Sequence, residues 1–263
     1  MTREPFGIEL VRLSADSVGV ELEDGRMVAV FHPLIGGDRW NRFSVELLVD
    51  QILLHDQYGV NGKLGRGQIV LDVGASIGLF TWMAGSQGAR VYSFEPNPKE
   101  FPSLQACIVA NHIPAEAIEA AVGDSEGTVR FSCGFEATLG DGQVLTDDME
   151  LVHVEDEAER DRGSLDVRMV TLDRFASDRN LGRVDVIKVD TEGSESAVLR
   201  GAERIIRDFE PVILLASYHR KDDAEVLPRI VSSISPSYSF RSVRADPPHT
   251  DDMIVCVPPD SPF

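Results

Sequence analysis

Lysine is scarce in this sequence. Only four lysines are present, Lys63, Lys99, Lys188 and Lys221, and the 25 basic residues are outnumbered by 44 acidic ones, so the net charge is −19 at pH 7. A surface that follows phosphate groups carries clustered positive charge. The composition therefore argues against nucleic acids and anionic membranes as partners.

Long apolar runs are also missing. No window approaches the roughly 20 apolar residues that a membrane-spanning helix requires, and residues 1–16 lack the apolar core of a signal peptide. We therefore expect a soluble, cytoplasmic protein. Cysteine is rare as well: Cys107, Cys133 and Cys256 are widely separated and form no C-x-x-C pair. The sequence predicts neither a disulfide framework nor a cysteine metal site.

Strand and helix patterns divide the chain into two parts. Residues 8–31 read as a β-hairpin around the Asp24-Gly25 turn and residues 43–54 as a helix, which predicts a small β/α extension over residues 1–62. Residues 63–263 alternate buried strands with amphipathic helices and predict a doubly wound, parallel α/β domain. The acid-rich segment within residues 133–166 is interpreted as an insertion, either a mobile lid or a solvated loop.

The expected elements of the main domain follow one another in regular order. We predict parallel strands over residues 68–73, 90–95, 117–122, 184–190 and 211–217. We predict helices over residues 78–87, 99–111, 194–208 and 222–233. Residues 128–132 and 167–172 are expected to pair on either side of the insertion, and residues 238–244 and 251–257 to form a final antiparallel pair.

A glycine loop follows the first strand of the main domain, in the sequence VLDVGASIG at residues 70–78. Ligands of open parallel sheets bind beyond the carboxyl ends of the strands. The spacing from Gly74 to Gly78 is G-x-x-x-G, whereas dinucleotide pyrophosphates require G-x-G-x-x-G. Asp72 suits an ammonium group, contacted directly or through water, and the helix start suits a carboxylate. The pattern favours S-adenosylmethionine.

A second acid supports this interpretation. Glu95 ends the next strand about 20 residues beyond the glycines, where an acid binds a ribose diol in this architecture. The alternative is a strand-end acid that caps the turn at Pro96. The glycine loop and Glu95 together favour the ligand interpretation.

Five segments in order give the chain a family resemblance. They are VLDVGASIGLF (70–80), FEPNP (94–98), AVGDSEGTVRF (121–131), TLDRF (171–175) and IKVDTEGSESAVLRGAERII (187–206). With them the chain resembles the FkbM family of S-adenosylmethionine-dependent methyltransferases. The resemblance implies a Rossmann-like class I fold, with a seven-stranded, mostly parallel sheet whose last strand is antiparallel. It also implies methyl transfer to a hydroxyl of a small molecule or glycan.

The resemblance also implies which residues bind the cofactor. For the methionine part these are Asp72, Gly74, Ala75, Ser76 and Gly78. For the nucleoside they are Glu95, Pro96 and Asn97 at the ribose, Ala121 and Val122 near the adenine at the end of the third strand, and Asp124 at the adenine amino group.

Three residues are candidates for the chemistry. We predict His219, after the strand at 211–217, as general base, with Asp190 orienting it or binding the acceptor and Glu192 as a second acid. Many family members carry an acid where this chain has Tyr218-His219. Alternatively, Asp190 or Thr191 caps the following helix, Glu192 is structural and His219 is a solvated loop residue. We predict no metal, because residues 211–217 are not followed directly by an acid that would pair with Asp190.

Two other functions remain open at this point. A nicotinamide-dependent oxidoreductase shares the architecture, although the glycine spacing disfavours it. A catalytically silent protein that only binds the cofactor would use the acidic segment as a partner surface. Neither the acceptor nor the oligomeric state can be read from the sequence. Trp40, Phe43 and Tyr58 either stack on an acceptor ring or pack in the core.

Overall fold

The computed structural model describes residues 10–14, 17–22, 25–31, 47–132, 143–144, 164–243, 252–259, 261 and 263. Most of the predicted insertion at 133–166 lies outside these residues, as do Trp40, Phe43 and Cys133. Within the described part of the chain, no helix combines the length and the apolar character of a membrane span.

The N-terminal part forms a small antiparallel sheet, in the order β1 (Leu10–Arg12), β2 (Ser17–Glu21) and β3 (Met27–Phe31). The predicted turn at Gly25 joins β2 to β3. A helix with π-type hydrogen bonding, Val49–Leu54, lies within the range predicted as helical.

The remaining elements include the predicted strand–helix units, together with a run of described strands that has no described helix within it. The strands are β4 (Ile69–Val73), β5 (Arg90–Phe94), β6 (Ala115–Ile118), β7 (Ala121–Val122), β8 (Gly127–Ser132), β9 (Gln143–Val144), β10 (Ser164–Val170), β11 (Val186–Val189), β12 (Val212–Ala216), β13 (Ser239–Val243) and β14 (Met253–Val257). The helices are α1 (Leu79–Ser86), α2 (Phe101–Ala110), α3 (Leu172–Asp178), α4 (Glu195–Arg200), α5 (Glu203–Phe209) and α6 (Asp223–Ile234).

The central sheet has seven strands in the order β13-β14-β12-β11-β4-β5-β6. Strands β6, β5, β4, β11 and β12 are parallel. The last strand, β14, is antiparallel to both of its neighbours, β12 and β13. This arrangement confirms the predicted Rossmann-like class I fold, and it places the ends of β4, β5, β11 and β12 along one edge.

Each face of this sheet is covered by its own apolar layer. Side chains alternate along a strand, so Val70 belongs to one buried cluster and Leu71 to the other. The two described cysteines divide in the same way: Cys107 on α2 lies in the first cluster and Cys256 on β14 in the second. Both are free thiols, as expected, and burial raises the pKa of Cys107 to about 12.

The prediction of one strand over residues 117–122 is wrong. The third strand of the sheet, β6, ends at Ile118, and β7 joins a second sheet of order β7-β10-β8-β9. There Ala121 and Val122 pair in parallel with Met169 and Val170. The predicted pairing of residues 128–132 with 167–172 is confirmed in that sheet by the antiparallel pair β8 and β10.

The helix predicted over residues 194–208 is two helices, α4 and α5. Gly201, between them, packs so closely that an added Cβ would lie 1.9 Å from the carbonyl oxygen of Gly123. The carboxylate of Asp173 accepts hydrogen bonds from the backbone N–H groups of Arg204 and Ile205, at 2.8 and 2.9 Å, and so caps the start of α5. Gly123 and Asp173 are distant from these helices in the sequence, so the local sequence pattern does not reveal either contact.

The N-terminal sheet shares the core of the main domain. Valines of β2 and β3 belong to the same buried cluster as Val70 and Leu79. The side chain of Asn111 also pairs with the backbone of Ala29, donating to its carbonyl and accepting from its N–H at 2.9 Å each. The division at residues 62 and 63 remains a prediction, and these contacts join the two parts.

Candidate active site

The glycine loop is held between the ends of two strands. Gly74 has a φ of 76°, and a Cβ there would lie 1.8 Å from the backbone oxygen of Asp190 beyond β11. The N–H groups of Gly74 and Ala75 donate to the carbonyl oxygen of Phe94, at 3.1 and 3.0 Å. Gly78, with a φ of 92°, begins α1. Only glycine combines this conformation with such a close approach.

Glu95 lies at the end of β5 and turns toward this loop. Its Oε2 accepts a hydrogen bond from the N–H of Ser76 at 2.8 Å, and its Oε1 accepts one from the N–H of Asn97 at 2.7 Å. Burial and the charge of Glu100 outweigh these two bonds and raise the pKa of Glu95 to about 8. Each carboxylate oxygen accepts one backbone bond, which leaves capacity for a ligand hydroxyl.

Asp72 is linked to the glycine loop through Lys188. It is fully buried, with Oδ2 accepting a hydrogen bond from the Thr81 hydroxyl at 2.6 Å and Oδ1 lying 3.3 Å from Nζ of Lys188. The same Nζ donates to the carbonyl oxygen of Gly74 at 2.5 Å. In this geometry the carboxylate of Asp72 is enclosed by Thr81 and by the ammonium group of Lys188. Its contact with the ammonium group of a ligand, directly or through water, remains a prediction.

Lys188 is the residue that sequence reasoning missed here. It is 3% exposed in a strand whose other residues are apolar. A lysine is almost never fully buried without a partner. Its position inside the apolar run of β11 was therefore the available signal that a buried carboxylate lies beside it.

The residues expected near the adenine lie at the start of the second sheet. Ala121 and Val122 are buried in β7. Asp124 follows them, and its Oδ2 lies 3.3 Å from Nε of Arg200, both side chains being about half exposed. Asp124 thus already has a cationic partner on α4. The cofactor-binding roles of these three residues, and of Pro96 between Glu95 and Asn97, remain predictions.

A polar cluster occupies the adjacent ends of β11 and β12. Asp190 Oδ2 accepts a hydrogen bond from the Tyr58 hydroxyl at 2.8 Å, and Oδ1 accepts one from the Tyr218 hydroxyl at 3.2 Å. Tyr58 is buried and packs edge-on against Phe80, with ring centroids 4.9 Å apart. Burial and the charge of Asp190 hold the pKa of Tyr58 well above its usual range. The N-terminal part of the chain therefore contributes a residue to this cluster.

The hydrogen bond that orients His219 is made with Glu195. Of the two roles predicted for Asp190, orienting His219 or binding the acceptor, the second remains a prediction. Nδ1 of His219 lies 2.9 Å from Oε1 of Glu195, which also accepts from the N–H and hydroxyl of Thr191. Burial alone would lower the pKa of His219, but the hydrogen bond and charge of Glu195, with the charges of Asp190 and Glu192, raise it to about 9. Burial acts in the opposite direction on Glu195 and would raise its pKa. The hydrogen bond and the charge of His219 lower it, and the net result is a lowered pKa of Glu195.

Glu192 completes the cluster. Its Oε2 lies 3.3 Å from Nε2 of His219, and its backbone has a φ of 55°, which is uncommon for a residue other than glycine. The three predicted catalytic residues are thus brought together. The alternative of a solvated loop histidine does not hold, because the side chain of His219 is only 7% exposed. Ser194 begins α4 without a side-chain cap, so Asp190 and Thr191 do not serve as its N-cap.

Comparisons with known proteins identify similar sequences. The family model described as "Methyltransferase FkbM domain" matches residues 72–245. The protein "31-O-demethyl-FK506 methyltransferase FkbM" of Streptomyces tacrolimicus is 29% identical over 181 residues, which are 60% of this chain and 66% of that protein. The "Hexuronic acid methyltransferase AglP" of Haloferax volcanii is 24% identical over 180 residues, 68% of this chain and 67% of that protein.

The fold is also similar to that of a solved structure. The crystal structure of "Methyltransferase FkbM" from Methylobacillus flagellatus KT superposes with a TM-score of 0.53 at 19% identity, covering 82% of this chain and 55% of that one. The chain thus spans about two thirds of the first relative and about half of the solved structure. Since the family model covers more than half of this sequence, the chain belongs to the FkbM methyltransferase family.

Proposed function

We propose that this protein is an S-adenosylmethionine-dependent methyltransferase that methylates a hydroxyl group of a small molecule or glycan. One observation carries the proposal: the loop at Gly74, supported by Glu95, is packed against the backbone of Asp190, whose side chain belongs to the polar cluster. The cofactor end and the acceptor end of such a site therefore share one sheet edge. The names of the two curated relatives, one of which acts on a hexuronic acid, support a hydroxylated acceptor.

The residues present fit S-adenosylmethionine. Glu95 offers lone pairs on both carboxylate oxygens for a ribose diol, and the start of α1 offers N–H groups for a carboxylate. Gly74 lets a ligand approach the main chain, and Lys188 and Asp72 fix the loop from below. When bound, the cofactor supplies a methyl group on a positively charged sulfur.

The cluster of Asp190, Glu192 and His219 positions the acceptor in this proposal. An acceptor hydroxyl donates a hydrogen bond to a carboxylate of Asp190 or Glu192 and must lose its proton as the new O–C bond forms. His219 was predicted to take that proton. With a pKa of about 9, its imidazole is already protonated at neutral pH and becomes a base only after that proton has left. Positioning of the hydroxyl is therefore the part of the chemistry that these contacts support best.

Calorimetry tests the cofactor half directly. S-adenosylmethionine and its demethylated product should each bind once per chain, and Glu95→Ala should weaken both strongly because each lost charge-assisted bond contributes about 1.5–3 kcal/mol. Glu225→Ala is the matched control, since Glu225 is an exposed acid on α6 that pairs with Arg229. Silence with both ligands would reject the proposal, and binding of NADH instead would restore the oxidoreductase alternative.

Transfer of a labelled methyl group tests the acceptor half. The panel should contain hydroxylated small molecules and glycans, with uronic acids among them, and a nucleic acid as the negative control. We expect no transfer to nucleic acid, because the chain carries a net charge of −19. Label found in nucleic acid would contradict the proposed acceptor class.

A further inference from the structure

One nitrogen in the polar cluster is buried without a hydrogen bond. The side chain of His219 is only 7% exposed, yet its Nε2 has no hydrogen-bond partner among the described residues. It faces two carboxylate oxygens, Oε2 of Glu192 at 3.3 Å and Oδ1 of Asp190 at 3.6 Å. Because an unpaired buried polar atom is costly, a cation between Nε2 and the two carboxylates, in place of the proton that the imidazole otherwise carries, would satisfy all three groups.

The spacing of these atoms suits a metal ion. One ligand atom from each of Asp190, Glu192 and His219 lies within 4.8 Å of the others. Ligands about 2.1 Å from a shared cation and at right angles lie about 3 Å apart, and opposed ligands lie about 4.2 Å apart. The distances of 3.3 and 3.6 Å from Nε2 are near the first value, so small side-chain rotations complete the geometry.

The surroundings are those of a metal-bound histidine. A metal-ligating histidine usually donates its other N–H to a carboxylate, which fixes the ring. Here Nδ1 lies 2.9 Å from Oε1 of Glu195, which is itself held by the backbone N–H of Thr191. The hydroxyl groups of Tyr58 and Tyr218 hold the Asp190 carboxylate in the same way. His219 and Asp190 are thus each oriented by a second group behind them.

We propose that Asp190, Glu192 and His219 bind a divalent metal ion through two carboxylate oxygens and the Nε2 nitrogen. Imidazole favours ions such as Zn²⁺, and carboxylates favour Mg²⁺ or Mn²⁺, so a mixed set of one nitrogen and two oxygens suits Mn²⁺ or Zn²⁺. Three protein ligands leave coordination positions open for an exogenous oxygen. This proposal replaces the expectation that the site holds no metal.

The use of the ion rests on the proposed function, whereas its binding does not. An acceptor hydroxyl on the open position would be fixed beside the cofactor loop and made more acidic by the cation. His219 is then a ligand and not the general base. Such a metal site favours acceptors that present an oxygen to a cation. The uronic acids named above are among these acceptors.

Binding of Mn²⁺ to the chain of residues 1–263 tests the proposal. After treatment with a chelator, the wild-type chain should bind one Mn²⁺, measured as loss of the electron paramagnetic resonance signal of the free ion. Glu192→Gln and Asp190→Asn should each weaken binding at least about tenfold. Asp222→Asn, an exposed acid near His219, should leave it unchanged. Zn²⁺ should displace the Mn²⁺.

Two outcomes would overturn the proposal. One is the absence of Mn²⁺ and Zn²⁺ binding to the wild-type chain at millimolar concentrations. The other is equal affinity in Glu192→Gln, with its fold checked by circular dichroism. Titration of S-adenosylmethionine in the presence of chelator separates the two proposals, because the cofactor contacts at Glu95 do not include the metal ligands.

Discussion

We expect the affinity for S-adenosylmethionine to rise with pH through the titration of Glu95. Burial and the charge of Glu100 raise the pKa of Glu95 to about 8, against the lowering effects of the Asn97 and Ser76 N–H groups and of Lys188. Below that pH the free protein holds a proton on this carboxyl group. In the proposed role of Glu95, ribose hydroxyls donate to the ionised form, so binding at lower pH must release the proton.

The magnitude follows from the pKa. The rise in the pKa of Glu95 from 4.5 to about 8 corresponds to about 5 kcal/mol of free energy that disfavours its ionised form in the folded protein. Below that pKa, each pH unit changes the affinity for the cofactor by a factor of about ten. Affinity should therefore be about tenfold weaker near pH 7 than on its plateau above pH 8. The same carboxyl group affects folding. Because its folded-state pKa lies above the unfolded one, its contribution to stability is fully present below pH 4.5 and is lost as pH rises to about 8.

Calorimetry in two buffers of different ionisation enthalpy measures the released proton. About one proton should be released near pH 6.5 and none near pH 9. Glu95→Gln should bind more weakly and release no proton, whereas Glu100→Gln, which removes the neighbouring charge, should move the midpoint below pH 8. Affinity that is flat from about pH 6 to 9, or proton release that persists in Glu95→Gln, would refute this account.

Two further predictions concern the support of the glycine loop. Lys188→Met leaves the buried Asp72 carboxylate without its cation and should lower the free energy of unfolding by about 3–5 kcal/mol in urea denaturation, with much of the loss recovered when Asp72→Asn is added. A loss no larger than that of a surface substitution would show that the pair is unimportant. Gly74→Ala should abolish cofactor binding, because its Cβ would meet the Asp190 carbonyl oxygen at 1.8 Å. Gly67→Ala is the control. Its φ of 86° imposes the same backbone strain of about 1–2 kcal/mol, but no atom lies within 4 Å of the added Cβ. Equal effects of the two substitutions on stability and binding would contradict the role of the contact with Asp190.

Much of the central sheet could be predicted because buried parallel strands are continuous apolar runs bounded by turns. The run at 117–122 misled for the same reason. The run is apolar except at Glu119, where the chain leaves the sheet, and Ala121 pairs with Met169, far along the sequence. Such distant pairing decides where one strand ends and the next begins, and local periodicity carries no information about it.

The site shows a similar division. Glu95, Asp190 and His219 could be named from their positions at strand ends, and the structure brings the last two together. Lys188 and Glu195 were not identified, because their roles depend on partners that folding brings near: Asp72 on the neighbouring strand and His219 on the next. Such supporting residues have no motif spacing, and Lys188 is marked in the sequence only as a charged residue inside an apolar strand.

The two buried cysteines give the molecule a built-in reporter. Because Cys107 and Cys256 lie in the apolar layers on opposite faces of the sheet, alkylation of each thiol measures how often its own layer opens. With Cys133 replaced by alanine, matched labelling rates would show that both layers separate in one cooperative event. Unequal rates would reveal which of the two layers opens more often, without a substitution in either layer.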